Sequence, residues 1–170
     1  MKIKLLILLV AFSSVYGCGK LQFVPQEYPL RDGLIPQVDI KGTVTVNNVQ
    51  PSTKEAIVYS YGGSELATNY HAITQLMVDQ TTKEIKKNGK FSSTSTQKSI
   101  DLNVHYLLST YIAFYWKSEL KYTAKLGNGV TLDKTVKHGS GNLHQDLNGC
   151  VAESVLDLLN DPQVRAYLAE

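Results

Sequence analysis

Apolar and polar residues alternate through much of this chain, and the alternation is clearest past its middle. Ile100, Leu102, Val104 and Tyr106 are interleaved with Asp101, Asn103 and His105, the period of two expected of a half-buried strand. Residues 106–116 (YLLSTYIAFYW) are more continuously apolar, as in a strand covered on both faces. Leu120, Tyr122, Ala124 and Leu126 alternate with lysines and Thr123, and Gly127-Asn128-Gly129 then predicts a hairpin turn. Val130, Leu132 and Val136 return on the far side. The pattern predicts a three-strand antiparallel meander.

Upstream, the β-branched alternation of Ile40, Val44 and Val46 predicts a strand over roughly 38–49. A short extended piece at 56–61 ends at Gly62-Gly63. From Ser64, a candidate N-cap, Leu66, Tyr70, Ile73 and Met77 recur at helical spacing as far as the Asn88-Gly89 stop. Lys83, Lys86 and Lys87 suit a solvated helix end, and 91–99 (FSSTSTQKS) reads as a polar loop. A second helix is marked by Leu143, Leu147, Cys150, Val151, Val155 and Leu158, with Gly149 implying close packing on the sheet. Asn160-Asp161-Pro162 breaks it, with Asp161 as cap and Pro162 as first residue of a short last helix. The fold expected is a single α+β domain over 39–170. Its sheet is mainly antiparallel, a long three-strand meander plus an N-terminal strand, with two main helices on one face.

The start of the chain changes the picture. Lys2 and Lys4 precede an uncharged apolar stretch, Leu5 to Gly17, the layout of a secretory signal peptide over 1–17. The stretch is shorter than the roughly 20 residues a membrane span needs. Val15-Tyr16-Gly17-Cys18 resembles the bacterial lipobox, with Tyr16 standing where that motif has a small residue. The resemblance implies cleavage before Cys18 and acylation of its thiol and new amine, with palmitate-type chains sufficient for stable membrane attachment. A plain secretory cut after Gly17 is the alternative. Gly19 in place of Asp implies, by the same resemblance, the periplasmic face of an outer membrane. Residues 18–38 carry Pro25, Pro29 and Pro36, three of the five prolines, and read as a tether with a reach of up to about 60 Å. Leu21, Phe23, Val24, Leu34 and Ile35 within it are apolar enough for part of it to dock on the fold.

Charge excludes one class of partner. The chain has 17 Lys and Arg against 15 Asp and Glu, and losing Lys2 and Lys4 with the leader leaves 15 of each. No basic footprint for nucleic acid remains. Cys18 and Cys150 are the only two cysteines. With Cys18 acylated, Cys150 is a small buried hydrophobe; with Cys18 free, the two would pair.

Candidate chemistry is sparse. His71, His105, His138 and His144 have no metal-ligand spacing, although His138 and His144 flank a Gly-rich turn and would need a third ligand. No Gly-x-Ser-x-Gly elbow, phosphate-cradling loop or paired carboxylates stand out, so no catalytic residue, metal or cofactor is expected. Tyr106, Tyr111, Phe114, Tyr115 and Trp116 form one aromatic cluster. Helices packing over it would make it core, leaving the face of Tyr111 and Tyr115 as a candidate interaction surface.

The lipobox, the Pro-bearing tether, the element order and the Leu-Leu-Asn-Asp-Pro break (158–162) together resemble the YajG-like lipoproteins of Gram-negative bacteria. The resemblance spans most of 18–168 and implies location and fold, with no catalytic residue carried over. The function expected is a non-enzymatic, lipid-anchored accessory, scaffolding or regulatory module that holds an envelope protein. A binder of small ligands or lipid chains, in a cleft between the helices and the aromatic strand, is the alternative. A secreted hydrolase inhibitor is a third.

Overall fold

The computed structural model describes residues 19–170; the leader over 1–17 and Cys18 lie outside the described residues. Among the described residues seven strands form one mixed sheet, with three helices against it. The strands are β1 (Lys20–Gln22), β2 (Val38–Asn48), β3 (Glu55–Tyr61), β4 (Ser64–Asn69), β5 (Gly89–Ile112), β6 (Tyr115–Leu126) and β7 (Thr131–Ser140). The helices are α1 (Tyr70–Asn88), α2 (Leu143–Asn160) and α3 (Pro162–Ala169).

The meander follows the alternation that predicts it. β5 and β6 pair antiparallel from Ile100↔Leu126 to Ile112↔Tyr115, and β6 and β7 from Trp116↔Ser140 to Lys125↔Thr131. Ile100, Leu102, Val104, Leu107, Leu120, Tyr122, Ala124, Leu126 and Leu132 are buried on one face. There they meet α1 and α2, whose inward residues include Ile73, Met77, Leu147, Val151 and Leu158. The other face presents Lys117, Glu119, Lys121 and Lys125 to solvent. Apolar side chains on one side and charged ones on the other hold the register, since a one-residue slip would bury the lysines.

The sheet is not mainly antiparallel, and this corrects the expectation. β2 runs parallel to β5 from Val38↔Gly89 to Asn48↔Leu102, and β3 runs parallel to it farther along, at Tyr59↔Ser109. The two strands therefore follow one another along one edge of β5. Beyond them the order continues β3–β4–β1, with β1 parallel to β4.

Three further expectations are revised. Residues 64–69 form a strand: Gly62 (φ +58°) and Gly63 (φ +81°) make a tight turn, and β4 folds back on β3 from Tyr61↔Ser64 to Glu55↔Asn69. The cap of α1 is Asn69, whose Oδ1 accepts from the Ala72 N–H at 2.8 Å, and not Ser64. Second, the polar run 91–99 is strand, part of β5. Opposite it Gly42, at φ +87°, lets the register jump from Lys41↔Ser92 to Thr43↔Gln97. Third, 106–116 is not one strand, because Ala113-Phe114 turns the chain between β5 and β6.

The tether is the largest correction. Its start, Lys20–Gln22, is already a strand of the sheet, and Phe23 and Ile35 are 3 % and 4 % exposed in the core. Between them the chain lies as a strap across the helices. The Gln26 N–H donates to Asn148 Oδ1 at 3.0 Å, and Gln80 Nε2 donates to the Tyr28 carbonyl at 2.8 Å. Lys83 pairs with Glu27 and Lys87 with Asp32, both at 2.6 Å. Arg165 NH2 donates to the Gln37 carbonyl at 2.7 Å. Two of the three lysines read as a solvated helix end, Lys83 and Lys87, thus fasten the strap. Phe23 and Ile35 are buried and Leu30 packs partly on the core, which outweighs the extending effect of the prolines.

Candidate functional site

Aromatic residues collect at the end of the sheet where β3 and β5 finish and β4 and β6 begin. The β5–β6 turn is two residues, Ala113 at φ +46° and Phe114 at φ +69°. Two positive φ values mark the turn that Asn-Gly forms most easily, whereas a side-chain-bearing residue there costs about 1–2 kcal/mol. Phe114 stands at the apex, 86 % exposed.

Below the apex the cross-strand rungs are Ile112↔Tyr115 and Tyr111↔Trp116. The second is an aromatic pair on the helix-facing side, with ring centroids 5.0 Å apart and planes tilted 50°. Tyr61, at the end of β3, adds a third ring 5.2 Å from Tyr111. Tyr61, Ile112 and Tyr115 are 59 %, 48 % and 42 % exposed. Tyr115 lies on the open face over Gly139, where an added Cβ would come within 2.6 Å of its ring. Tyr111 and Tyr115 therefore occupy opposite faces of one hairpin. The rings are neither covered as core nor gathered on a single face. The indole Nε1 of Trp116 is buried with no hydrogen-bond partner among the described residues.

This end is bare of charge. Lys20 lies opposite Glu65, which lies opposite Ser60; the adjoining level across the sheet is Thr110, Lys117 and Gly139. Beyond that level the strands carry Tyr61, Ser64, Tyr111, Ile112, Tyr115, Trp116 and Ser140, and none is ionisable near neutral pH. Gly19 enters the sheet here too, its carbonyl accepting from the Glu65 N–H at 3.4 Å.

One rung lower, a buried polar node fixes the hairpin to α2. Ser109 and Ser118 face each other, and both hydroxyls donate to Oδ2 of Asp146, Ser109 at 2.6 Å. Asp146 sits in the first turn of α2, where the helix dipole favours a carboxyl group, and Asn142 caps that turn. All three side chains are sealed from solvent, and Oδ1 of Asp146 has no partner among the described residues. Through these bonds the trio clamps the hairpin to the first turn of α2.

The remaining candidates are dispersed. His71 Nδ1 lies 2.7 Å from the Gln50 carbonyl, and His105 is exposed at the β5 bulge. His138 packs where Gly149 leaves room, an added Cβ falling 2.4 Å from its Nε2, while His144 sits 5.8 Å ring to ring from Phe23. Among the described residues no three His, Cys, Asp or Glu side chains gather to hold a metal. Cys150 is fully buried, its Sγ 3.7 Å from the Val136 carbonyl. Burial first, and then the Asp146 and Glu153 carboxylates, push its thiol far above the usual range. A cleft of about 460 Å³ lies under the strap, between Tyr28, Leu34, His138 and Gly149.

Sequence reasoning set Tyr111 and Tyr115 on one open face, whereas the structure places them on opposite faces, and it gave no part to Phe114 at the apex or to Tyr61. Neither carries a signal: the turn holds no Gly, Asn or Pro, and Tyr61 reaches Tyr111 through a parallel pairing remote in sequence. Among the described residues no helix is long and apolar enough to cross a membrane. No protein-family model matches the chain, and no curated protein sequence matches it.

Proposed function

We propose that this protein is an exported, non-enzymatic lipoprotein, anchored through Cys18, that serves as an accessory binding module on an envelope membrane. The observation that carries this reading is where the fold begins. Gly19, next in the chain to the lipobox-like cysteine, is already at the edge of the sheet and at its aromatic end. A lipid on Cys18 would hold that end, and no other, against a membrane.

Three further observations support it. Lys2, Lys4 and the apolar run to Gly17 have the layout of a cleaved leader. The hydroxyl, carboxyl and thiol groups that would serve catalysis, on Ser109, Ser118, Asp146 and Cys150, are sealed in the core. The largest group of exposed apolar side chains is aromatic, the composition of a contact surface. The resemblance to YajG-like lipoproteins and the Gly19 that follows the cysteine favour the periplasmic face of the outer membrane, with an envelope protein as partner.

Intact mass of the membrane-extracted protein, beside a Cys18→Ser variant, tests the anchor. The reading predicts a mass increment equal to diacylglyceryl plus an acyl group. It also predicts that the variant loses the increment and moves to the soluble fraction. An unmodified chain beginning at Cys18, soluble in both forms, would overturn it.

A further inference from the structure

We infer that the aromatic end of the sheet is a membrane-dipping surface, with Phe114 entering the acyl region and the Tyr61–Tyr111–Trp116 group lying at headgroup depth in the same leaflet that holds the anchor. This rests on the reading of Cys18 as acylated and adds what the anchored domain touches.

The first argument is the missing spacer. A flexible tether of some twenty residues would let the domain face in any direction. Instead β1 starts at Lys20, and the segment from Phe23 to Gln37 is fastened across α1 and α2. The chain thus belongs to the sheet from Lys20 onward, two residues after Cys18. From β1 to β5 is three strand spacings, so Gly19 and Tyr111 stand roughly 14 Å apart at the same level. The apex at Phe114 projects about 7 Å farther, two residues of strand rise, which matches the depth of about 5–10 Å reached by interfacial anchors.

The second argument is the order of chemistry along that axis. Phe114, the most exposed of the large apolar residues, is at the apex, followed by Ile112 and Tyr115, then the tyrosines and Trp116. Tyr and Trp prefer the membrane–water interface, where a ring is buried while its polar atom stays wet. Lys117 comes next, and a lysine at that depth faces lipid phosphates, whereas the Lys20 ammonium pairs with Glu55 toward the other end of β3.

The third argument is strain. A turn with two positive φ values is most easily made by Asn-Gly, yet here it carries Ala113 and a fully presented Phe114. Nothing in the domain packs on that ring to repay the strain. An external apolar phase does so. A protein partner would serve the same patch, but it would not explain why the anchor enters at the same level.

Trp116, the only tryptophan, is a native reporter. The acylated full-length mature protein would be reconstituted in vesicles of phosphatidylethanolamine and phosphatidylglycerol, some lipids bearing bromine high on the acyl chain. The expected result is a blue-shifted Trp116 emission and loss of its intensity to the bromines, both diminished in Phe114→Ser. A Lys125→Trp reporter in a Trp116→Phe background, at the far end of β6, should keep its intensity. Protein that carries the lipid on Cys18 yet shows unquenched Trp116 would overturn this inference and leave the anchor standing. Protein without lipid on Cys18 would overturn the anchor and this inference with it.

Discussion

Ser109 of β5 donates its hydroxyl to Asp146 of α2 at 2.6 Å, both side chains buried, and Ser118 of β6 shares the same carboxyl oxygen. The bond joins the base of the aromatic hairpin to the first turn of a helix, so the tip is carried on a braced support rather than a free ribbon. Asp146→Ala would leave two hydroxyls buried without an acceptor. The expected cost is about 2–3 kcal/mol in urea unfolding, since a buried polar group left unsatisfied costs about 1–3 kcal/mol. Ser118→Ala, which leaves Ser109 bonded, should cost less.

The turn itself offers a test of opposite sign. Replacing Ala113-Phe114 by Asn-Gly (Ala113→Asn with Phe114→Gly) supplies residues that adopt positive φ without penalty. Stability should rise by about 1–2 kcal/mol, while the membrane contact weakens. A variant less stable than the parent would show that Phe114 packs on the domain after all.

The strap predicts a result that a tether excludes. Phe23 is buried beside His144, so Phe23→Ala should destabilise the whole domain by about 3 kcal/mol, near the lower end of the range for core phenylalanines. It should also open residues 24–37 to proteolysis. A solvated linker would give no change in unfolding midpoint.

Acid should loosen the C-terminal helix. Asp161 caps α3, accepting from the Gln163 N–H at 2.8 Å, and its other oxygen lies 2.5 Å from Lys134 Nζ. Burial pushes its carboxyl up, but the Lys134 ammonium and the Gln163 and Val164 N–H groups outweigh that and hold it below the usual range. A carboxyl group with a lowered folded value contributes stability above its unfolded value of about 3.9 and loses it as pH falls through the folded one. Stability should therefore fall in acid, below about pH 4. Carbon-detected NMR should place the Asp161 titration below that of an exposed Asp, and Lys134→Met should move it upward. An unmoved titration would show that the pair does not act on the carboxyl.

Why some elements were legible follows from what each buries. β5 to β7 between Ile100 and His138 bury one face and solvate the other, so the alternation appears in the residues themselves. The Asn160-Asp161-Pro162 break is equally local, and α3 begins where it says. Residues 64–69 were misread because Leu66 satisfies both a helical stripe and a strand, and the Gly62-Gly63 turn, which decides, looked like a loop before a cap. Residues 91–99 meet β2 only at Phe91, Ser92 and Gln97 to Ser99, and their mostly polar side chains set up no hydrophobic period that would mark them as strand. The strap was hidden because Phe23 and Ile35 are far apart in sequence and meet only the finished core. The aromatic end was visible as composition but not as geometry. Its two-residue turn lacks turn residues, and the level it shares with Gly19 arises from pairings across four strands.

The most direct test of the account places a photo-crosslinking benzoylphenylalanine at position 114 in the full-length protein in living cells, and at position 125 for comparison. Irradiation is predicted to give a phospholipid adduct at 114, read by mass, and none at 125. No lipid adduct at 114, or equal adducts at both positions, would contradict the claim that this end of the sheet meets the membrane.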